Sequence, residues 1–160
     1  LSTLAGRMEA AATTFEAWGD GPDGTFAAAG ETARDAANRL ASLDDAAEPA
    51  DDPTPLDDSL RGLDGTAERL GGLVAWAMVT DRTLSQAVGF FVGSADPGSA
   101  DTVRDLRGEI DGVCDRALDA LDALDDAEGD DEAAAAAIEA AYADYASTLE
   151  DMGVKVKPVC

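Results

Sequence analysis

Residues 56–91 decide the fold, and they read LDDSLRGLDGTAERLGGLVAWAMVTDRTLSQAVGFF. The apolar residues of this segment recur in steps of four and three residues: Leu56, Leu60, Leu63, Ala67, Leu70, Val74, Ala77, Leu84, Val88 and Phe91. This spacing places them along one side of an α-helix, as in the seam between two packed helices. The segment therefore predicts a long helix that buries one continuous stripe.

Similar stripes occur elsewhere in the chain, so we predict an all-α fold: an antiparallel, left-handed helical bundle of five to six helices with coiled-coil-like 3-4 seams. The predicted helices cover residues 2–17, 25–43, 55–79, 84–93, 101–127 and 131–152. Residues 1–152 form the bundle domain, with an exposed proline-containing linker at 46–55. Residues 153–160 form a basic, extended C-terminal tail.

A charge interrupts the stripe at Asp81, and Thr83 with Gln86 has the pattern of a helix-starting capping box. We therefore expect a kink or break at residues 80–83, which explains Asp81 and Arg82 more simply than a ligand site does. Upstream, Thr54 followed by a proline and an acid predicts a helix start.

Two other faces matter for the packing. The first helix is expected to turn Leu1, Leu4, Met8, Ala11, Phe15 and Trp18 inward. The last helix is expected to turn Ile138, Tyr142, Tyr145, Leu149 and Met152 to one side, with the tyrosine hydroxyls at the hydrated rim. Gly19, Gly21 and Gly24 match the spacing of a dinucleotide-binding loop, but a helix rather than a strand precedes them and Asp20 and Asp23 would repel phosphate, so we predict a turn between helices.

The chain has 34 acidic and 11 basic residues and a formal net charge of −23. Such a surface disfavours nucleic acid as a partner. It repels itself in dilute buffer, and at molar salt the screening length of about 3 Å removes most of that cost. The excess of Asp, the abundant Ala and the scarcity of Lys resemble cytoplasmic-type proteins of extreme halophiles. This resemblance implies a high-salt cytoplasm, or a particle assembled in one.

The most apolar window, residues 73–79, is far shorter than the roughly 20 residues of a membrane span.

Catalysis has little support in the sequence. The chain contains no histidine, which removes the usual general base and most transition-metal sites. Cys114 flanks an apolar seam without a basic cluster to activate it. Residues 125–132 fail the calcium-loop pattern because Leu124 would occupy the first ligand position, so we expect a solvated acidic turn there. We predict no enzyme activity, metal or cofactor; a carboxylate-only site would most plausibly use Glu109 and Glu139.

The favoured function is a non-catalytic structural or interaction subunit that assembles through helix faces and the tail, with itself or with another protein. Its partner-binding residues are predicted to be Phe90, Phe91, Lys155, Lys157 and Cys160. The alternative is a sensory or small-ligand-binding bundle whose pocket is lined by Trp18, Trp76, Phe90 and Tyr142.

Overall fold

The computed structural model describes residues 2–43, 54–124 and 127–151, with the side chains of residues 2, 127–130, 144 and 147–151 left out. Within these ranges the chain forms six α-helices and no strand. The helices are α1 (Ser2–Ala17), α2 (Thr25–Ser42), α3 (Pro55–Arg61), α4 (Thr66–Gly93), α5 (Pro97–Asp122) and α6 (Ala127–Asp151). The predicted all-α bundle is confirmed. Most of the linker, the whole C-terminal tail and the predicted core residues Leu1, Leu149 and Met152 lie outside the described backbone or side chains.

Two helical hairpins form the body of the bundle. Helices α1 and α2 pack together across a short turn, and α4 and α5 do the same. Helix α2 also packs on α5, while α6 lies against α4 and α3. Helix α4 therefore has α5 on one side and α6 on another, and it is the central element of the fold. No helix in the described part of the chain is both long and apolar enough to cross a membrane.

The core consists of the predicted stripes of α1, α2, α4 and α5. Their buried members include Met8, Phe15, Phe26, Leu40, Leu70, Leu84, Leu106, Ile110 and Val113. The turn between α1 and α2 uses three glycines at positive φ, between 70° and 82°, a region that residues with a side chain rarely adopt. This confirms the turn predicted at Gly19, Gly21 and Gly24.

The predicted break at residues 80–83 is wrong, because α4 is one continuous helix. The Thr83 hydroxyl donates to the carbonyl of Val79 at 2.9 Å, within the helix, instead of capping a new one. Asp81 accepts a hydrogen bond from Arg107 Nε of α5 at 2.7 Å. This contact raises the pKa of Arg107 and pairs the half-buried carboxylate across the α4–α5 interface.

The break lies instead at residues 62–65, between α3 and α4. The α3 start is as predicted: the Thr54 side chain accepts from the Asp57 amide, and Asp57 accepts from the Thr54 amide at 2.7 Å. Helix α4 begins after Gly65, whose amide donates to Glu68 at 3.2 Å. Two local caps thus define separate helices where the apolar spacing alone predicted one.

Helix α6 differs from its prediction in its first residue and in part of its buried face. It begins at Ala127 rather than residue 131, so most of the supposed acidic turn is helical. Its buried side chains are alanines, at positions 134, 137 and 141. Of the predicted face, Ile138 packs half-buried against the core, and Tyr142 is 38% exposed. The alanines lie against α4 because Gly71 allows close approach: a Cβ atom placed on Gly71 would lie 2.7 Å from the Cα of Ala134. Small residues on both helices set this contact.

Candidate functional site

A cavity of about 520 Å³ opens between α1, α3 and α4, with one side chain from α6 at its edge. Small-molecule sites typically measure about 300–1,000 Å³. The apolar part of the lining is Leu4, Met8, Leu56, Trp76, Val79, Ala87 and Phe90. The polar part is Thr3, Arg7, Thr54, Asp57, Thr80, Thr83, Gln86 and Tyr145. Size and composition both match a site for a small amphipathic molecule.

A contact between α1 and α4 lies beside the cavity. Phe15 of α1 packs edge-on against Trp76 of α4, with ring centroids 5.0 Å apart. From there the cavity extends along the N-terminal half of α1 and the C-terminal half of α4. Its α4 wall is a second stripe, spaced four and three residues apart: Trp76, Thr80, Thr83, Ala87 and Phe90. The N-terminus of α3 closes another side.

Arg7 is the positively charged side chain of this lining. It is half-buried, and its Nε atom is fully buried without a hydrogen-bond partner. No ion pair joins Arg7 to a carboxylate in the described residues. Leaving a buried donor unsatisfied costs about 1–3 kcal/mol, and more for a charged group. The Arg7 guanidinium is thus a cationic group in the cavity lining that has no acid partner among the described residues.

Two buried polar residues lie on the other walls. Thr80 is 3% exposed, and its hydroxyl makes no hydrogen bond within the part of the chain that the structure describes. Asp57 is 4% exposed, and its Oδ2 accepts from both the amide and the hydroxyl of Thr54 at 2.7 Å. Asp57 therefore serves the start of α3, while Thr80 offers a free hydroxyl on the α4 wall.

The predicted partner-binding residues are distributed differently. Phe90 is 65% exposed at the edge of the cavity, whereas Phe91 is 5% exposed and packs in the core. Their rings contact each other edge-on at 5.4 Å. Of this pair, only Phe90 reaches the surface of the chain. Lys155, Lys157 and Cys160 lie outside the described residues.

The four aromatic residues predicted to line a pocket do not all meet. Trp76 and Phe90 do line the cavity. Trp18 instead packs on Phe15 and Phe26, with ring centroids 5.1 and 5.2 Å away. From α6, Tyr145 lines the cavity in place of the predicted Tyr142.

The residues considered for catalysis are ion-paired, exposed or made less nucleophilic by burial. Glu109 accepts from Arg39 of α2 at 2.7 Å, and Glu139 is exposed on α6. Cys114 is half-buried, and burial together with Asp115 and Asp111 raises the pKa of its thiol, which disfavours the nucleophilic thiolate. Among the described side chains, no group of three His, Cys, Asp or Glu residues is arranged to hold a metal ion.

Arg7 and Thr80 are the site residues that reasoning from the sequence missed. A signal for the α4 wall was present, since the stripe of Trp76, Thr80, Thr83, Ala87 and Phe90 has the same period as the predicted seam. No comparable signal marked Arg7, because its lack of a partner depends on which helices are neighbours.

Comparison with known proteins found no matching family model, no matching curated protein and no matching solved structure.

Proposed function

We propose that the chain is a non-catalytic helical bundle that binds a small amphipathic molecule in the cavity between α1, α3 and α4. The cavity of about 520 Å³ carries this proposal, because it combines apolar side chains with the polar side chains of Arg7 and Thr80. A ligand that fills it would bury apolar surface at about 25 cal/mol per Å² and satisfy those groups at the same time.

A neutral probe tests this function. We expect 3-phenylpropanamide to bind saturably with a dissociation constant on the order of 1 mM, as is usual for a ligand of this size. Filling the cavity by Ala87→Phe should weaken binding at least about tenfold, which corresponds to about 1.4 kcal/mol. Titration calorimetry measures both. Quenching of Trp76 fluorescence in a Trp18→Phe background, where it is the only indole, reports binding at the cavity.

The control for cavity filling is Ala136→Phe, which adds the same ring at an exposed site on α6. This variant should bind the probe as the unmodified chain does. Binding unchanged by Ala87→Phe, or no saturable binding at all, would contradict the proposed function.

Assembly with a second copy or another protein is the second candidate, and the end of α4 favours it. No charged residue occurs between Arg82 and Asp96, although the chain has 34 acidic residues. Within that stretch Phe90 is 65% and Val92 57% exposed. An uncharged, partly apolar end on so acidic a surface is a plausible contact patch. The high-salt cytoplasmic setting suggested by the net charge of −23 belongs to the same proposal, since screening would permit such acidic chains to associate.

Light scattering in about 2–3 M KCl tests assembly, because the screening length there is about 3 Å or less. We expect an oligomer that Val92→Asp dissociates. Met78→Asp is the control, since Met78 is similarly exposed, at 55%, but lies earlier on α4. A monomer under these conditions would argue against self-assembly.

A further inference from the structure

We infer that the ligand of this cavity carries a carboxylate, and that Arg7 binds it. This inference rests on the proposed function and adds the chemical class of the ligand: an apolar body with one anionic head group. Arg7 lines the cavity together with the apolar side chains of Leu4 and Met8 on the same helix.

The bonding of the other arginines shows why Arg7 is distinctive. Three arginines that reach a second helix have an acid partner: Arg34 pairs with Glu9 and Glu16, Arg39 with Asp35 and Glu109, and Arg107 with Asp81. Arg69 has no acid partner, but it lies over the Trp18 ring and its Nε donates to the carbonyl of Leu63 at 2.9 Å. Arg7 has no such pair among the described residues, and its buried Nε has no hydrogen-bond partner there. An arginine left without an acid at a cavity, in a chain with 34 acidic residues, is available to an anion from outside the chain.

The guanidinium geometry selects the anion. Its planar N–H donors match the two oxygens of a carboxylate, and these charge-assisted bonds are stronger than those to a neutral amide. The remaining lining is apolar apart from hydroxyl and amide side chains and Asp57. A carboxylate at Arg7 with a hydrocarbon or aromatic body along Val79 and Ala87 therefore fits both parts of the cavity.

Asp57 is the opposing charge to consider, since a cationic ligand would prefer it. In the described lining the charged side chains are Arg7 and Asp57. The Oδ2 of Asp57 already accepts two hydrogen bonds from Thr54 at the first turn of α3. Arg7 makes no ion pair with a carboxylate in the described residues, so the charged group without a partner at the cavity is a donor, which favours an anionic ligand over a cationic one.

Three probes that share a phenylpropyl skeleton and differ in their polar group test the inference: 3-phenylpropanoate, 3-phenylpropanamide and 3-phenylpropylamine. Their binding is measured by calorimetry at pH 7 and constant high salt. We expect the carboxylate to bind about tenfold more tightly than the amide, as a charge-assisted hydrogen bond predicts. In Arg7→Gln the preference should disappear while the amide still binds. Arg82→Gln is the matched control, because Arg82 is exposed on α4 outside the cavity. Circular dichroism verifies that both variants are as helical as the parent.

The possible results distinguish the inference about the carboxylate from the proposed function. Equal binding of carboxylate and amide would overturn the inference and leave the proposed function standing. Tighter binding of the amine would overturn it in favour of Asp57. A carboxylate preference that survives Arg7→Gln would show that another group binds the anion. Failure of all three probes to bind would overturn the proposed function itself.

Discussion

Replacing Gly71 with alanine is expected to lower the free energy of unfolding by about 2–3 kcal/mol, although alanine is the better helix former. The added Cβ would lie 2.7 Å from the Cα of Ala134 and closer still to its carbonyl oxygen. Both are backbone atoms of α6, so no side-chain rotation relieves the overlap. Helix α6 must move away from α4, which exposes Ala134, Ala137 and Ala141. Denaturant unfolding at high salt, followed by circular dichroism, measures the loss.

Gly89→Ala in the same helix is the control. A Cβ at Gly89 meets nothing within 4 Å in the structure. The substitution should therefore stabilise the chain by about 0.5–1 kcal/mol through helix propensity alone. If Gly71→Ala behaved like Gly89→Ala, the close approach of α4 and α6 would be disproved.

Phe15→Ala is expected to have the largest effect, a loss of about 3–5 kcal/mol. Phe15 is 0% exposed and contacts both Trp18 and Trp76. The contact with Trp76 joins the two helical hairpins, so the substitution leaves a void at their junction. Because small domains are stable by only about 5–15 kcal/mol, a large part of the total would be lost.

Phe90→Ala removes the same side chain from an exposed position. Phe90 is 65% exposed, so we expect a change within about 0.5 kcal/mol. Thermal unfolding of the two variants side by side separates burial from residue type. Similar losses in both would mean that Phe15 does not occupy the core as described.

The parts of the fold that could be predicted from the sequence depend on neighbouring residues. Helix α1 has the predicted bounds, Ser2–Ala17, because its apolar period and the glycines after it are local signals. The start of α3 was predictable for the same reason, since Thr54 and Asp57 cap the helix by contacts three residues apart. The stripe of α5 was equally clear, and Val103, Leu106, Ile110 and Val113 are all buried.

The errors come from contacts between helices distant in sequence. Asp81 predicted a break because its partner, Arg107, lies on another helix. The inward face of α6 was predicted only in part: Ile138 packs against the core, but the alanines beside Gly71 of α4 were not expected inside.

Only part of the candidate site could be predicted from the sequence. Trp76 and Phe90 were expected in a pocket, and both line the cavity. Arg7 was not expected there. The sequence shows that the chain contains many acidic residues, but it does not show that none of them lies next to Arg7 in the folded chain. An unpartnered charge is a property of tertiary structure.

The order of the helices also bears on how the chain folds. The α1–α2 and α4–α5 contacts join helices that a short turn separates in the chain, so these contacts are expected to form early in folding. Docking of α6 on α4 instead brings together Gly71 and Ala134, with all of α5 between them, and pays the entropy of closing that long loop. Helix α6 is therefore expected to dock last and to open first, so its amide hydrogens should exchange with solvent before those of α4 and α5.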